Sequence, residues 1–65
     1  MKLIAEMALG NSAFEGPGGP AEAARILRKL ADELEAKPEL QPSPEIHPLR
    51  DVNGNRIGIA YITDV

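Results

Sequence analysis

The chain has 65 residues, a net charge of −3 and a pI near 4.9, and it contains one histidine and no cysteine. A domain of this size buries only about 60% of the surface that its unfolded chain exposes, and its composition excludes disulfides, thiolate metal cages and a histidine-rich metal site within one chain. With disulfides and such metal sites excluded, self-association is the expected source of extra stability. The acidic balance argues against a nucleic-acid binder that neutralises phosphates.

The first predicted element is a strand over residues 2–9. Apolar side chains at positions 3, 5, 7 and 9 alternate with Lys2, Ile4, Glu6 and Ala8, as in a strand with one side on a core. The composition would also suit a helix, but Gly10 ends the segment too early for a stable one.

Residues 10–20 are a glycine-rich connection that leads into a helix. Such a connection could hold a phosphate at the helix N-terminus, with Phe14 stacked on a base and Asn11 or Ser12 bonding a base edge or a ribose. In the alternative interpretation the connection is flexible and Phe14, the only phenylalanine, fills the core. The alternative is favoured because the connection has neither a Walker lysine nor a dinucleotide fingerprint.

Helical periodicity is strongest over residues 19–37. Gly19 suits the N-cap, Pro20 suits the first helical position, and Pro38 ends the helix. A 100° step per residue predicts one buried face. Its members are Ala23, Ile26, Leu27, Leu30, Ala31 and Leu34.

Four prolines make residues 38–48 a semi-rigid connector of polyproline character, which Leu40 and Ile46 are expected to hold against the body. His47 lies in it and is more typical of a surface or packing residue than of a general base. Catalytic residues are otherwise sparse, so we expect no enzyme and no cofactor.

Residues 49–64 predict a β-hairpin, because Asn53-Gly54 is a strong signal for a type I′ turn. The predicted opposite pairs are Val52 with Asn55 and Asp51 with Arg56. Beyond the turn, Ile57, Ile59 and Tyr61 share one face of the last strand.

The order strand, helix, hairpin predicts an α+β fold, a three-stranded sheet with one helix. A right-handed crossover makes strands one and two parallel, with strand three antiparallel between them. One helix covers one sheet face, and the apolar residues left on the other face favour a homodimer or a higher homo-oligomer.

The polar residues around the hairpin allow two interpretations. Arg50 or Arg56 could bind a pyrophosphate, for which the planar guanidinium is well suited; otherwise these are the ordinary residues of a hairpin. Arg25 and Arg28 add positive charge on the helix, although the spacing of Arg28 from Asp32 also suits a simple i,i+4 pair.

Three blocks of this sequence, residues 11–15, 24–32 and 49–58, together resemble a group of very short phage and mobile-element proteins with a strand, an NAAF-like loop, a helix and an RDxNGN hairpin. The resemblance covers nearly the whole chain except the proline-rich connector, which looks like an insertion. Ser12 stands where the group has alanine.

This group is similar to the Hailong anti-defence sponges, phage homodimers that capture nucleotide immune signals, including cyclic ADP-ribose types. The resemblance implies stoichiometric capture without turnover, in pockets that both subunits build. It implies these ligand-binding residues: Asn11, Phe14, Arg25, Arg28, Arg50, Asn53 and Arg56.

The alternative function belongs to another class, a phage or mobile-element protein that inhibits a host protein through its exposed sheet. Neither function needs a nucleic-acid or membrane partner. No apolar run approaches the roughly 18 residues of a membrane span, and residues 1–9 do not resemble a signal peptide, so we expect a cytoplasmic protein, in the host cell if it is phage-encoded.

Overall fold

The computed structural model describes residues 1–42 and 47–65 and folds them into a three-stranded antiparallel sheet with one helix. The predicted α+β class and the order strand, helix, hairpin are confirmed. No helix formed by the described residues is long and apolar enough to cross a membrane. The elements are β1 (Lys2–Met7), α1 (Gly19–Glu35), β2 (His47–Arg50) and β3 (Arg56–Thr63).

Strand β3 lies at the centre of the sheet and is antiparallel to both β1 and β2, as predicted. Strand β1 ends at Met7, and Leu9, which was predicted within it, is exposed. Strand β2 begins at His47, inside the residues predicted as the connector. Pro48 is tolerated in β2 because an edge strand leaves half of its N–H groups unpaired in the sheet.

The buried core is small and joins the helix to the sheet. Ile26 and Leu30 of α1 pack against Leu49 of β2 and the fully buried Ala60 of β3. Partly buried hydrophobic residues surround this cluster, namely Met7, Phe14, Leu34 and Ile57.

The buried face of α1 is narrower than predicted. Leu27 is 46% exposed and Ala31 is exposed, whereas Ile26, Leu30 and Leu34 are buried or half-buried. These three residues are four apart and therefore form a single row along the helix. A sheet of three strands contacts little more than this row.

The helix begins after two short 3₁₀ turns, Ser12–Phe14 and Gly16–Gly18. Gly18 is the N-cap and Gly19 the first helical residue, so the N-cap lies one residue earlier in the chain than predicted. The backbone of Phe14 touches the helix at Gly19, where a Cβ would overlap the Phe14 carbonyl oxygen. The last helical residue is Glu35, two residues before the predicted end.

The sheet face opposite α1 has no covering element among the described residues. Cross-strand pairing places Ile4 opposite Tyr61 and Glu6 opposite Ile59 on this face. Ile4, Ile59 and Tyr61 are half-buried, and we call them the uncovered face. Ile57, predicted to lie with Ile59 and Tyr61, also packs against the core cluster and lies beside the register shift between Leu49 and Arg50.

Of the two residues expected to hold the connector, Leu40 is 58% exposed. Ile46 lies outside the described residues.

Candidate functional site

The hairpin turn differs from the predicted type I′ turn. Gly54 has a positive φ of 82°, but Asn53 does not have a positive φ. The Asp51 N–H donates to the Asn55 carbonyl at 2.9 Å, which leaves residues 52–54 as a three-residue loop. In such a loop only the last residue needs left-handed backbone, so Gly54 alone meets the requirement.

The predicted opposite pairs at the turn are therefore wrong. Arg56 lies opposite Arg50 rather than Asp51, and the Asp51 N–H donates a hydrogen bond to the Asn55 carbonyl. The shift follows from the carboxylate of Asp51, which accepts the backbone N–H groups of Asn53 and Asn55 at 2.9 Å each. An Asp side chain that bonds the backbone ahead of it selects the turn.

Asp51 also joins the hairpin to the first loop. Its Oδ2 accepts the side-chain amides of Asn11 at 2.8 Å and Asn55 at 3.2 Å, and the residue is only 5% exposed. The Oδ1 of Asn11 accepts the Ala13 N–H at 2.8 Å. We call Asp51, Asn11, Asn53 and Asn55 the Asp51 network.

The Asp51 network holds a negative charge. Burial raises the pKa of Asp51, but the hydrogen bonds from Asn55, Asn11 and Asn53 outweigh burial and leave the pKa below its ordinary value. The carboxylate is therefore ionised at neutral pH and acts as a fixed acceptor for its four donors.

A second carboxylate joins the helix to the hairpin. Glu22, in the first turn of α1, accepts the Val52 N–H at 2.8 Å and pairs with the Arg25 Nε at 2.6 Å. The Arg25 hydrogen bond, and then the Val52 N–H, lower the pKa of Glu22 against the opposing effect of burial. The hairpin tip is thereby held against the start of α1.

Three arginines from three elements meet at this end of the molecule. Arg25 donates from Nη2 to the Arg50 carbonyl at 3.4 Å, Arg50 donates from Nη1 to the Gly54 carbonyl at 3.1 Å, and Arg56 lies opposite Arg50. We call Arg25, Arg50 and Arg56 the arginine cluster. All three residues are exposed. Each guanidinium has five N–H donors, and these contacts engage only some of them.

The structure brings most of the predicted binding residues to the hairpin end. The arginine cluster and the exposed Asn53 lie there, and Asn11 reaches it through Asp51. Both polar groups of the Asn11 side chain make internal hydrogen bonds, and Phe14 is half-buried against the core. No contact among the described residues joins the exposed Arg28 to the cluster.

The single histidine lies on the helix side of the sheet. His47 pairs with Ala60 across the strands, and its Nδ1 is 3.3 Å from the Glu33 carboxylate of α1. This contact agrees with the packing role expected for it. Within residues 1–42 and 47–65, no group of three acidic or histidine side chains is placed to hold a metal ion.

Sequence reasoning missed the residues that assemble this end. The sequence predicts Asp51 only as a cross-strand partner of Arg56 and predicts no contact of Glu22 with the hairpin, yet each carboxylate joins two segments of the chain. The position of Asp51 immediately before the turn is a usable signal, because Asp there commonly bonds the turn backbone. The contact of Glu22 with Val52 has no comparable local signal.

Comparison of the chain with protein-family models, with curated proteins and with solved structures finds no match.

Proposed function

We propose that this protein is a phage counter-defence sponge. It binds a nucleotide-derived immune signal of the cyclic ADP-ribose type at the hairpin end, holds it without cleaving it, and acts as a homodimer. The proposal combines the resemblance of the three sequence blocks with the chemistry of the arginine cluster.

The meeting of the three arginines is the observation that carries this proposal. They come from α1, β2 and β3; the Arg25 guanidinium contacts the Arg50 backbone carbonyl, and Arg56 lies opposite Arg50 in the sheet. With the carboxylates of Glu22 and Asp51 included, this end retains positive charge in a chain whose net charge is −3. The planar guanidinium group is well suited to a pyrophosphate.

The first experiment is a thermal-shift screen against ADP-ribose, its cyclic isomers and cyclic oligonucleotides. A ligand at about 1,000 times its dissociation constant should stabilise the fold by roughly 4 kcal/mol, which is many degrees in so small a domain. The bound ligand should be recovered chemically unchanged after denaturation. Recovery of a breakdown product would contradict capture without turnover.

The Arg56→Gln variant tests whether the nucleotide binds at the arginine cluster. Loss of one charge-assisted contact to a phosphate costs about 1.5–3 kcal/mol, so the affinity for a stabilising nucleotide should fall roughly 10- to 100-fold. Lys37→Gln makes the same change of charge beyond the other end of α1 and should leave affinity unchanged. Equal effects of the two variants would indicate a general charge effect and would exclude this site.

The second candidate function is inhibition of a host protein by direct binding. The uncovered face favours it, because Ile4, Ile59 and Tyr61 lie together on a sheet face without a covering element among the described residues. Tyr61→Glu should then abolish a host-protein complex, and no nucleotide should shift the melting temperature. A complex that survives Tyr61→Glu would count against this function.

A further inference from the structure

The two outer strands of the sheet differ in how well they are protected from further pairing. Strand β2 contains Pro48, ends in Arg50 and has a shift of register between Leu49 and Arg50. Proline, charge and irregular pairing all discourage the addition of a strand. Strand β1 contains no proline and pairs with β3 in one continuous register, and its two charged residues, Lys2 and Glu6, are of opposite sign.

The backbone groups that face outward from β1 can be identified. The Ala8 N–H donates to the Ile57 carbonyl at 2.8 Å, in the same register as the rest of the β1–β3 pairing. Hydrogen-bonded residues alternate along an antiparallel strand. Even-numbered residues of β1 therefore bond β3, and the N–H and C=O groups of Leu3, Ala5 and Met7 point toward the open edge.

Apolar side chains lie exposed beside the same edge. Helix α1 packs mainly against β2, and the helix side of β1 is left as part of a groove of about 530 Å³. Leu3 is 50% exposed in this groove, and Met1 is 65% exposed. The groove also contains Leu34, Leu40 and Ile62.

We infer that two copies of this chain join through β1, antiparallel to each other about a two-fold axis at Ile4. An axis perpendicular to the sheet keeps both helices on one side, so residues on the same sheet face must lie opposite each other. With the axis at Ile4, Leu3 meets the partner's Ala5, and the outward backbone groups of both residues form hydrogen bonds.

Charge selects this register. Lys2 lies opposite the partner's Glu6, and the symmetry repeats the pair, so the strand is complementary to itself. If the axis lay at Ala5, Lys2 would meet Ala8 and Glu6 would meet Ile4. That register would lose both ion pairs and place a carboxylate against an apolar side chain.

The resulting dimer has a continuous six-stranded sheet with both helices on one face. The exposed Leu3 and the groove beside it then lie between the two helices. The arginine clusters lie toward the two outer edges, so each chain carries its own binding site rather than half of a shared pocket. This interface rests on the homodimer of the proposed function, but it does not depend on the ligand.

Cysteine crosslinking tests the interface directly, because the chain has no cysteine. Ile4 and its symmetry copy form a pair without mutual hydrogen bonds, for which Cα atoms are about 4.5 Å apart, within the range of a disulfide. Ile4→Cys should therefore form a disulfide-linked dimer under mild oxidation. In Tyr61→Cys, on the same face but one strand inward, the copies are about 14 Å apart and should not crosslink.

A charge exchange provides a second test that does not depend on oxidation. Lys2→Glu places two carboxylates opposite each other at both ends of the interface and should raise the dimer dissociation constant roughly tenfold. Adding Glu6→Lys to that variant should return the dissociation constant to that of the unaltered chain. Sedimentation equilibrium measures both effects, and circular dichroism confirms that the variants fold.

Two results would overturn the interface. One is a dimer in which Ile4→Cys does not crosslink, or crosslinks no more than Tyr61→Cys; the other is a double exchange that does not restore association. A monomer at 100 µM would overturn the homodimer itself. The thermal-shift screen is read separately, so a monomer that still binds a nucleotide would contradict the assembly and leave the binding site supported.

Discussion

At the scale of single residues, Asp51 is the most connected side chain of the hairpin end. Its two oxygens accept two backbone N–H groups and two side-chain amides, from residues on both sides of α1 in the sequence. A buried acceptor with four donors is sensitive to any change in its hydrogen-bonding pattern. Substitution of Asp51 should therefore affect stability far more than its position in a surface turn suggests.

Asp51→Asn should lower the melting temperature by several degrees. Each oxygen accepts two donors, so the amide NH₂ that replaces one oxygen faces two donors whichever way the side chain turns, and two hydrogen bonds are lost. Thermal unfolding followed by circular dichroism measures the change. Asp64→Asn removes the same charge at an exposed position and should have little effect; equal losses in the two variants would contradict the role of the network.

The stability of the protein should also fall in acid. The pKa values of Asp51 and Glu22 are lowered in the folded state. A lowered pKa contributes stability that is present above the ordinary values, 3.8 and 4.5, and is lost as pH falls through the folded-state values. Urea unfolding between pH 6 and about pH 3 should show this loss. The combined Asp51→Asn and Glu22→Gln variant should lose less stability over this pH range. A variant with the same pH dependence as the unaltered chain would show that these two carboxylates are not its source.

At the scale of elements, the parts set by local chemistry were predictable. The periodicity of α1 follows from the sequence, and the structure confirms it. The central position of β3 agrees with the arrangement that a right-handed crossover favours. The turn was not predicted, because the Asn53-Gly54 rule considers backbone alone while Asp51 selects a longer loop through its side chain. Exposure of Leu27 was not predicted either, since it depends on how narrow the opposing sheet is.

The start of α1 allows a matched pair of substitutions at neighbouring glycines. A Cβ at Gly19 would overlap the Phe14 backbone, whereas a Cβ at Gly18 would have nothing within 4 Å. Gly19→Ala should destabilise the fold by about 1–3 kcal/mol through overpacking. Gly18→Ala should be neutral or stabilise by about 0.4–1 kcal/mol, because it restricts the unfolded chain.

Chemical denaturation measures both glycine variants under the same conditions. Effects of the same sign and size would show that the 3₁₀ turn before α1 can move to make room for a Cβ. The close contact of Phe14 with Gly19 would then not contribute to the stability of the fold.

At the scale of the whole molecule, the chain has little interior of its own. Among residues 1–42 and 47–65 the core has four buried hydrophobic residues, one of them an alanine, and Met1, Leu3 and Leu40 are each at least half exposed. Small size and low burial were evident from chain length alone. The location of the candidate site was less predictable, because it depends on contacts between segments as far apart as Asn11 and Asp51.

A protein stabilised by self-association should melt at a temperature that depends on its concentration. We expect the melting temperature to rise as the protein concentration is raised from 1 to 100 µM, and we expect Lys2→Glu to melt lower than the unaltered chain at equal concentration. Circular dichroism in cells of different path length measures this. A constant melting temperature would mean that the folded chain gains nothing from a second copy over this range.

The central position of β3 has a consequence for synthesis on the ribosome. Strand β3 follows both of its neighbours in the chain, and about 50 residues separate it from β1. At about 5–20 residues per second, β1 waits several seconds for its pairing partner. Strand β2 needs only a short turn to reach β3, so the hairpin can form at once and β1 docks last. The nascent chain therefore presents β1 without a pairing partner to chaperones until β3 has been made.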